Sequence, residues 1–175
     1  MHKGKCGVVY LNGALQAVLN PPADNKPQKA FGNRLFRQGD KVLQIRNNYE
    51  LDVFNGDGGV ILKIDTVDQI MTVKLEDDRM IDYDFTDLDQ LTLACAMSIH
   101  KSQGSEYRCV VMPVVMSHYM MLERKLIYTG LTRARQLAVI VGSRKALEMA
   151  VRNGGASGVG RMTGLRARLY QEVSG

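Results

Sequence analysis

The chain has 175 residues, 45% of them hydrophobic and 23% charged, proportions that exclude a disordered tail, a collagen-like repeat and a coiled-coil rod. A formal charge of +5, from 23 basic and 18 acidic groups, allows an anionic partner without requiring one. No apolar stretch approaches the ~20 residues of a membrane-spanning helix, no secretory h-region follows residues 1–5, and Cys6, Cys95 and Cys109 form no CxxC pair, so a reduced, cytosolic (cytoplasmic) setting away from membranes is expected.

In chain order, residues 11–19 place Leu11, Leu15, Val18 and Leu19 on one helical face, and Asn20-Pro21-Pro22 stops the helix. The charge then divides. Residues 40–90 hold 13 acids and 5 bases, net −8, while the rest of the chain holds 18 bases and 5 acids, net +13. Within the acidic part, residues 41–46, 59–65, 70–75 and 80–83 are short β-branched or alternating runs. Turn clusters such as Asn55-Gly56-Asp57-Gly58-Gly59 separate them, which predicts a small antiparallel barrel. That glycine-rich cluster lacks the later glutamate of a calcium loop, and no metal site is expected.

After residue 90 the pattern changes. Residues 91–97, 110–116 and 137–142 are near-continuous apolar runs; residues 120–135 and 144–152 have helical spacing. Alternating strand and helix of this kind predict a parallel sheet covered on both faces, with ligands at the carboxyl ends of its strands. Residues 153–160 are glycine-rich, and a short basic helix over 163–172 closes the chain.

Two polar segments adjoin the buried strands. Residues 98–107 (SIHKSQGSEY) gather hydroxyls, an imidazole, an ammonium, a carboxamide and a glycine, suited either to a solvated loop or to phosphate oxygens. Residues 128–135 (YTGLTRAR) carry Arg133 and Arg135, which are either two solvated arginines or include one guanidinium aimed at a phosphate; spacing alone does not decide.

Together these runs carry a resemblance. SIHKSQGSEY followed by VVMPV, and LIYTGLTRAR followed by LAVIVG, resemble motifs V and VI of superfamily 1 helicases of the RecD-like branch. The stretch FRQGDKVLQIRNNYELDVFNGDGG resembles the opening of their SH3-like 2B domain, and Met1-His2-Lys3-Gly4 the tail of motif IV. The resemblance implies an α/β fold: a partial RecA-like parallel sheet with helices on both faces (domain 2A, residues 1–30 and 88–152), interrupted by a small antiparallel SH3-like β-barrel (2B, residues 31–87), then a flexible basic tail (153–175).

By the same resemblance, Arg133 is the arginine finger toward the ATP γ-phosphate, and Glu106 lies near the nucleotide ribose with Gly104 permitting close backbone approach. Ser98, His100, Lys101, Ser102 and Gln103 hold the single-stranded DNA backbone, while Tyr128 and Thr132 support motif VI. Any barrel contact with DNA is expected at the basic edge formed by Arg34, Arg37, Lys41 and Arg46, with Arg37 and Arg46 as its test positions.

No GxxxxGK[ST] phosphate loop and no acidic Mg²⁺ motif occurs. The chain is therefore expected to be the C-terminal part of an ATP-dependent 5′–3′ DNA helicase, binding no cofactor and hydrolysing no ATP by itself. ATP and Mg²⁺ would belong to the full-length enzyme. The implied partners are single-stranded DNA, the N-terminal RecA-like domain of the same protein and other helicase or nuclease subunits. The parent is either a RecD-type repair and recombination helicase or the helicase half of a conjugative relaxase. A different class, a non-catalytic nucleic-acid or protein-interaction module that kept the fold, is the alternative.

Overall fold

The structure, a computed structural model, describes residues 6–153. The basic helix expected over 163–172 lies outside them. Contacts divide the chain between Gly104 and Ser105 into two compact units.

The first unit opens with helix α1 (Val8–Leu19). Its packing inverts the expectation from hydrophobic spacing: Asn12 and Gln16 are buried, while Val18 and Leu19 are 77% and 68% exposed. Hydrogen bonds explain the inversion. Gln16 Nε2 donates to the Leu35 carbonyl (2.8 Å) and to the Asp40 carboxylate, and Asn20 Nδ2 donates to Asp40 Oδ1 (2.8 Å). One polar residue per turn, four apart, thus docks α1 on the sheet residues beneath it.

Strands β1 (Gln28–Phe31) and β2 (Arg34–Arg37) form an antiparallel hairpin. Its Gly32-Asn33 turn has Gly32 at φ +58°, as a two-residue hairpin loop requires. Strands β3 (Lys41–Gln44), β4 (Gly58–Asp65), β5 (Ile70–Leu75), β6 (Met80–Asp84) and β7 (Leu91–Leu93) form one antiparallel sheet in the order β6-β5-β4-β3-β7. Beta6 and β7 remain edges, so the ladder does not close into a barrel. A register shift between Ile61 and Lys63 bulges β4 against β5 and curls the sheet. The curl encloses a core that includes Phe36, Val42, Val53, Ile61, Met71, Val73, Tyr83, Leu88 and Leu91. The Tyr83 hydroxyl donates to Gln44 Oε1 (3.1 Å), and burial, with Asp57 nearby, pushes its pKa up to about 12. Burial also raises the Cys95 thiol above its ordinary value.

Beta7 corrects one expectation. Residues 91–97 do not open the parallel sheet. Leu91 and Leu93 point into the antiparallel core with Thr92 between them, and β7 pairs antiparallel with β3 (Val42↔Leu93, Gln44↔Leu91). Three residues with one buried face alternate, unlike a strand buried on both faces.

In the second unit β8 (Tyr107–Val114) and β9 (Ala134–Gly142) pair in parallel, and they are the parallel strands among the described residues. A 3₁₀ segment (Met116–Met121) and helix α2 (Arg124–Leu131) connect them. Helix α3 (Arg144–Arg152) follows β9, its first turn capped by Ser143 Oγ accepting from Ala146 N (3.2 Å), with Ala146 and Ala150 fully buried. At the end of the ladder Gly142 lies against Val114, so close that a Cβ there would stand 1.8 Å from the Val114 carbonyl oxygen. Gly142→Ala is therefore expected to destabilise this unit by at least ~1–3 kcal/mol, because backbone must shift to admit the methyl group. Chemical denaturation of the variant checks it, and a wild-type midpoint would refute the close approach.

Candidate functional site

Residues 94–106 lead from β7 into β8. The approach is fixed by a two-way clasp to α1: Asn12 Nδ2 donates to the Ala96 carbonyl and Asn12 Oδ1 accepts from Ala96 N–H, both at 2.8 Å. The chain then coils once. Lys101 N–H donates to Ser98 O (2.9 Å), Ser102 N–H to Ser98 O (3.2 Å) and Gln103 N–H to His100 O (3.4 Å). The serines serve this turn: Ser98 Oγ accepts from Lys101 N–H (3.4 Å), and the buried Ser102 hydroxyl donates to Ile99 O (2.8 Å). His100, Lys101 and Gln103 project into solvent. Gly104 ends the turn at φ +88°, a conformation that favours glycine, with open space where a Cβ would lie.

In the second unit, Glu106, Arg133 and Arg135 meet at the amino ends of β8 and β9. The ladder starts at the pair Tyr107↔Ala134, and Tyr107 N–H donates to Arg133 O (2.8 Å). The motif VI turn is made by Thr132 N–H donating to Tyr128 O (2.9 Å) and Thr132 Oγ1 donating to Thr129 O (3.0 Å).

The two arginines, which spacing could not separate, differ in their partners. Arg135 Nε holds Glu106 Oε2 at 2.6 Å. Among the described residues Arg133 reaches neutral acceptors: Ser105 O (3.2 Å), Thr129 O (3.4 Å) and Thr132 Oγ1 (3.4 Å). Among the described residues no carboxylate pairs with it. Its bonds sit at the long end of the useful range, so its charge is oriented yet uncompensated. Glu106, by contrast, is already engaged.

The basic edge expected on the sheet is largely consumed by structure. Arg37 is only 5% exposed, its Nη1 donates to the Asn20 carbonyl, and its Nε has no partner among the described residues. It is an interior cation, not a surface one. Arg34 Nη1 bonds the carbonyls of Leu88, Asp89 and Leu91, and Arg46 is paired with Asp89. Lys41 stays exposed. Sequence reasoning overlooked Asn12, Gln16, Asn20 and Asp40; their signal was polar residues at i, i+4 and i+8 of a helix whose apolar spacing drew attention elsewhere. No group of three or more His, Cys, Asp or Glu side chains suited to a metal occurs among the described residues.

Comparison with known proteins agrees with this layout. The family model described as the ATP-dependent RecD-like DNA helicase SH3 domain matches residues 11–75, and the UvrD-like helicase C-terminal domain matches residues 93–141. The chain is 37% identical over 150 residues to the ATP-dependent RecD2 DNA helicase of Deinococcus radiodurans, covering 86% of this chain and 20% of that protein. It is 33% identical over 172 residues to the RecBCD enzyme subunit RecD of Mycobacterium tuberculosis, covering 98% of this chain and 28% of that protein. It thus spans between a fifth and three tenths of these relatives. In fold it is similar to the Pif1 helicase from Bacteroides in complex with ADP-AlF3 and ssDNA (TM-score 0.63, 18% identity, 100% of this chain and 45% of that one). A second Bacteroides Pif1 structure, bound to ssDNA, aligns with TM-score 0.57 at 20% identity over 79% of this chain and 39% of that one. The matches thus show a RecD-like helicase SH3 domain over residues 11–75 followed by a UvrD-like helicase C-terminal domain over residues 93–141, in a chain similar to part of the RecD2 and RecD proteins.

Proposed function

We propose that this chain is the C-terminal motor part of an ATP-dependent 5′–3′ DNA helicase. Arg133 supplies positive charge to the γ-phosphate, and the turn of residues 98–103 grips the backbone of single-stranded DNA. The observation that carries the reading is the contrast between the two arginines: Arg135 is neutralised by Glu106, and Arg133 is oriented by neutral oxygens with its charge unspent. A guanidinium in that state suits a transferring phosphoryl group, whose charge spreads over its equatorial oxygens.

Exposed apolar strand surface supports a longer parent protein. Val111, Leu137 and Val141 lie open on β8 and β9, although parallel strands are ordinarily covered on both faces. In the parent, the Gly-rich loop that cradles ATP and the Mg²⁺ ligands would come from another RecA-like domain, and this chain alone turns over no ATP. The names of the relatives, an ATP-dependent RecD2 DNA helicase and a RecBCD enzyme subunit RecD, favour a RecD-type parent over a conjugative relaxase.

On the DNA side, Lys101 is exposed at the apex of its turn, where an ammonium meets phosphate as a point charge. Lys101→Ala is expected to weaken binding of fluorescent single-stranded DNA to the chain. It should also flatten the plot of log affinity against log salt by ~0.7, one phosphate's share on a single strand. An unchanged slope would remove Lys101 from the DNA contact.

A further inference from the structure

We propose that Tyr49 and Phe54, on the loop between β3 and β4, form a stacking platform for an unpaired base of single-stranded DNA. This rests on the DNA reading above and adds a contact of a different kind to it. Tyr49 is 78% exposed and Phe54 41% exposed; their ring centroids are 6.1 Å apart and their planes 77° apart. Two adjacent aromatic rings open to water are unusual on a loop that is otherwise fully organised.

The organisation is specific. Asn48 and Val53 exchange both backbone hydrogen bonds (2.8 and 3.0 Å), and Val53 is fully buried as the anchor. Asn48 Oδ1 accepts from the N–H groups of Glu50 (3.0 Å) and Leu51 (3.1 Å), closing the tip. Asn47 Oδ1 accepts from Asn55 N–H (2.9 Å), Asp57 Oδ2 accepts from Phe54 N–H (2.8 Å), and Arg79 Nη1 donates to Asp52 O (2.6 Å). Most of the loop's polar groups are spent on holding its shape. What it presents outward is the pair of rings, pre-ordered at little further entropic cost.

The surroundings select the ligand. The exposed neighbours Arg46, Asn47, Glu50, Asp52 and Asn55 are polar, so the apolar surface is two rings in a polar frame, far smaller than the ~800 Å² per partner of a stable protein interface. The segment of residues 40–90 is net −8, and Arg37, Arg34 and Arg46 are committed to the fold or to Asp89, so phosphate attraction is weak here. A base has an uncharged face that stacks on an aromatic ring whatever its sequence. The sheet thus contributes a grip on bases where its attraction for phosphates is weak.

The test compares the 175-residue chain with Tyr49→Ala, Tyr49→Phe and Lys101→Ala, titrated with a fluorescent oligothymidine and with an abasic strand of the same length. Tyr49→Ala is expected to lose at least about five-fold in affinity for the oligothymidine, with an unchanged salt slope. Tyr49→Phe should bind like wild type, and on the abasic strand Tyr49→Ala and wild type should bind alike. If Tyr49→Ala binds oligothymidine like wild type while Lys101→Ala is weakened, stacking is overturned and the DNA-grip reading stands. Equal weakening of Tyr49→Ala on both strands also overturns it. Absence of binding by the wild-type chain removes both.

Discussion

Arg133→Ala is expected to lower ATP turnover by the longer helicase that contains this chain by about 10³–10⁵-fold, the range of an arginine finger. Nucleotide-free affinity for single-stranded DNA should be unaffected. The reason lies in what surrounds the side chain. A guanidinium already paired with a carboxylate would have to break that pair before meeting a phosphate; Arg133 gives up only long bonds to Ser105 O, Thr129 O and Thr132 Oγ1. Arg133→Lys should not restore the rate, because an ammonium cannot reproduce the planar fork. Arg135→Ala is the matched comparison. Both Arg135 and Glu106 are more than half exposed, so their pair contributes little to stability, and its removal should change turnover far less than loss of Arg133. Single-turnover ATP hydrolysis by the three variants measures the difference, and equal losses for Arg133→Ala and Arg135→Ala would sink the assignment.

The second large effect is on the fold. Asp40 is 2% exposed and accepts from Gln16 Nε2, from Asn20 Nδ2 at 2.8 Å and from Arg37 N–H at 2.7 Å. Asp40→Ala removes one acceptor from each of Gln16 Nε2 and Asn20 Nδ2, strands the Arg37 N–H and leaves the interior Arg37 with less negative charge near it, so a loss of ~3–5 kcal/mol is expected. Asp40→Asn keeps one acceptor oxygen and the shape, and should lose less. Guanidinium unfolding gives the comparison, and amide hydrogen exchange in α1 should report its release in the alanine variant. A loss below ~1 kcal/mol would show that the polar face of α1 is not what holds it. The consequence reaches the DNA side, because Asn12 on the same helix clasps Ala96, just ahead of the turn that presents Lys101.

Much of this was legible in sequence. The strands of the antiparallel sheet fall close to where alternation placed them: residues 70–75 became β5 (Ile70–Leu75) and residues 80–83 became part of β6 (Met80–Asp84). The β1–β2 hairpin went unread although Gly32-Asn33 is a two-residue turn signal, because each strand has only four residues and β2 begins and ends on an arginine. Beta7 was misassigned because a short apolar run has no period of its own; what decided it was pairing with β3, a contact about fifty residues away in sequence. Arg37 shows the same limit from the electrostatic side. A basic residue at a strand end reads as surface, and only the approach of Asn20 and Asp40 makes it interior. The distinction between Arg133 and Arg135 was also beyond sequence, since it depends on which of them Glu106 reaches across the start of the parallel ladder.

The most direct test of the central claim, that this chain carries a helicase's grip on single-stranded DNA, is a fluorescence anisotropy titration. It uses the 175-residue chain with a labelled strand of ~16 nucleotides at low and moderate salt. Binding that weakens as salt rises, and that outlasts competition by duplex DNA, is the predicted result. Absence of binding at low salt, or equal displacement by duplex, would contradict the claim.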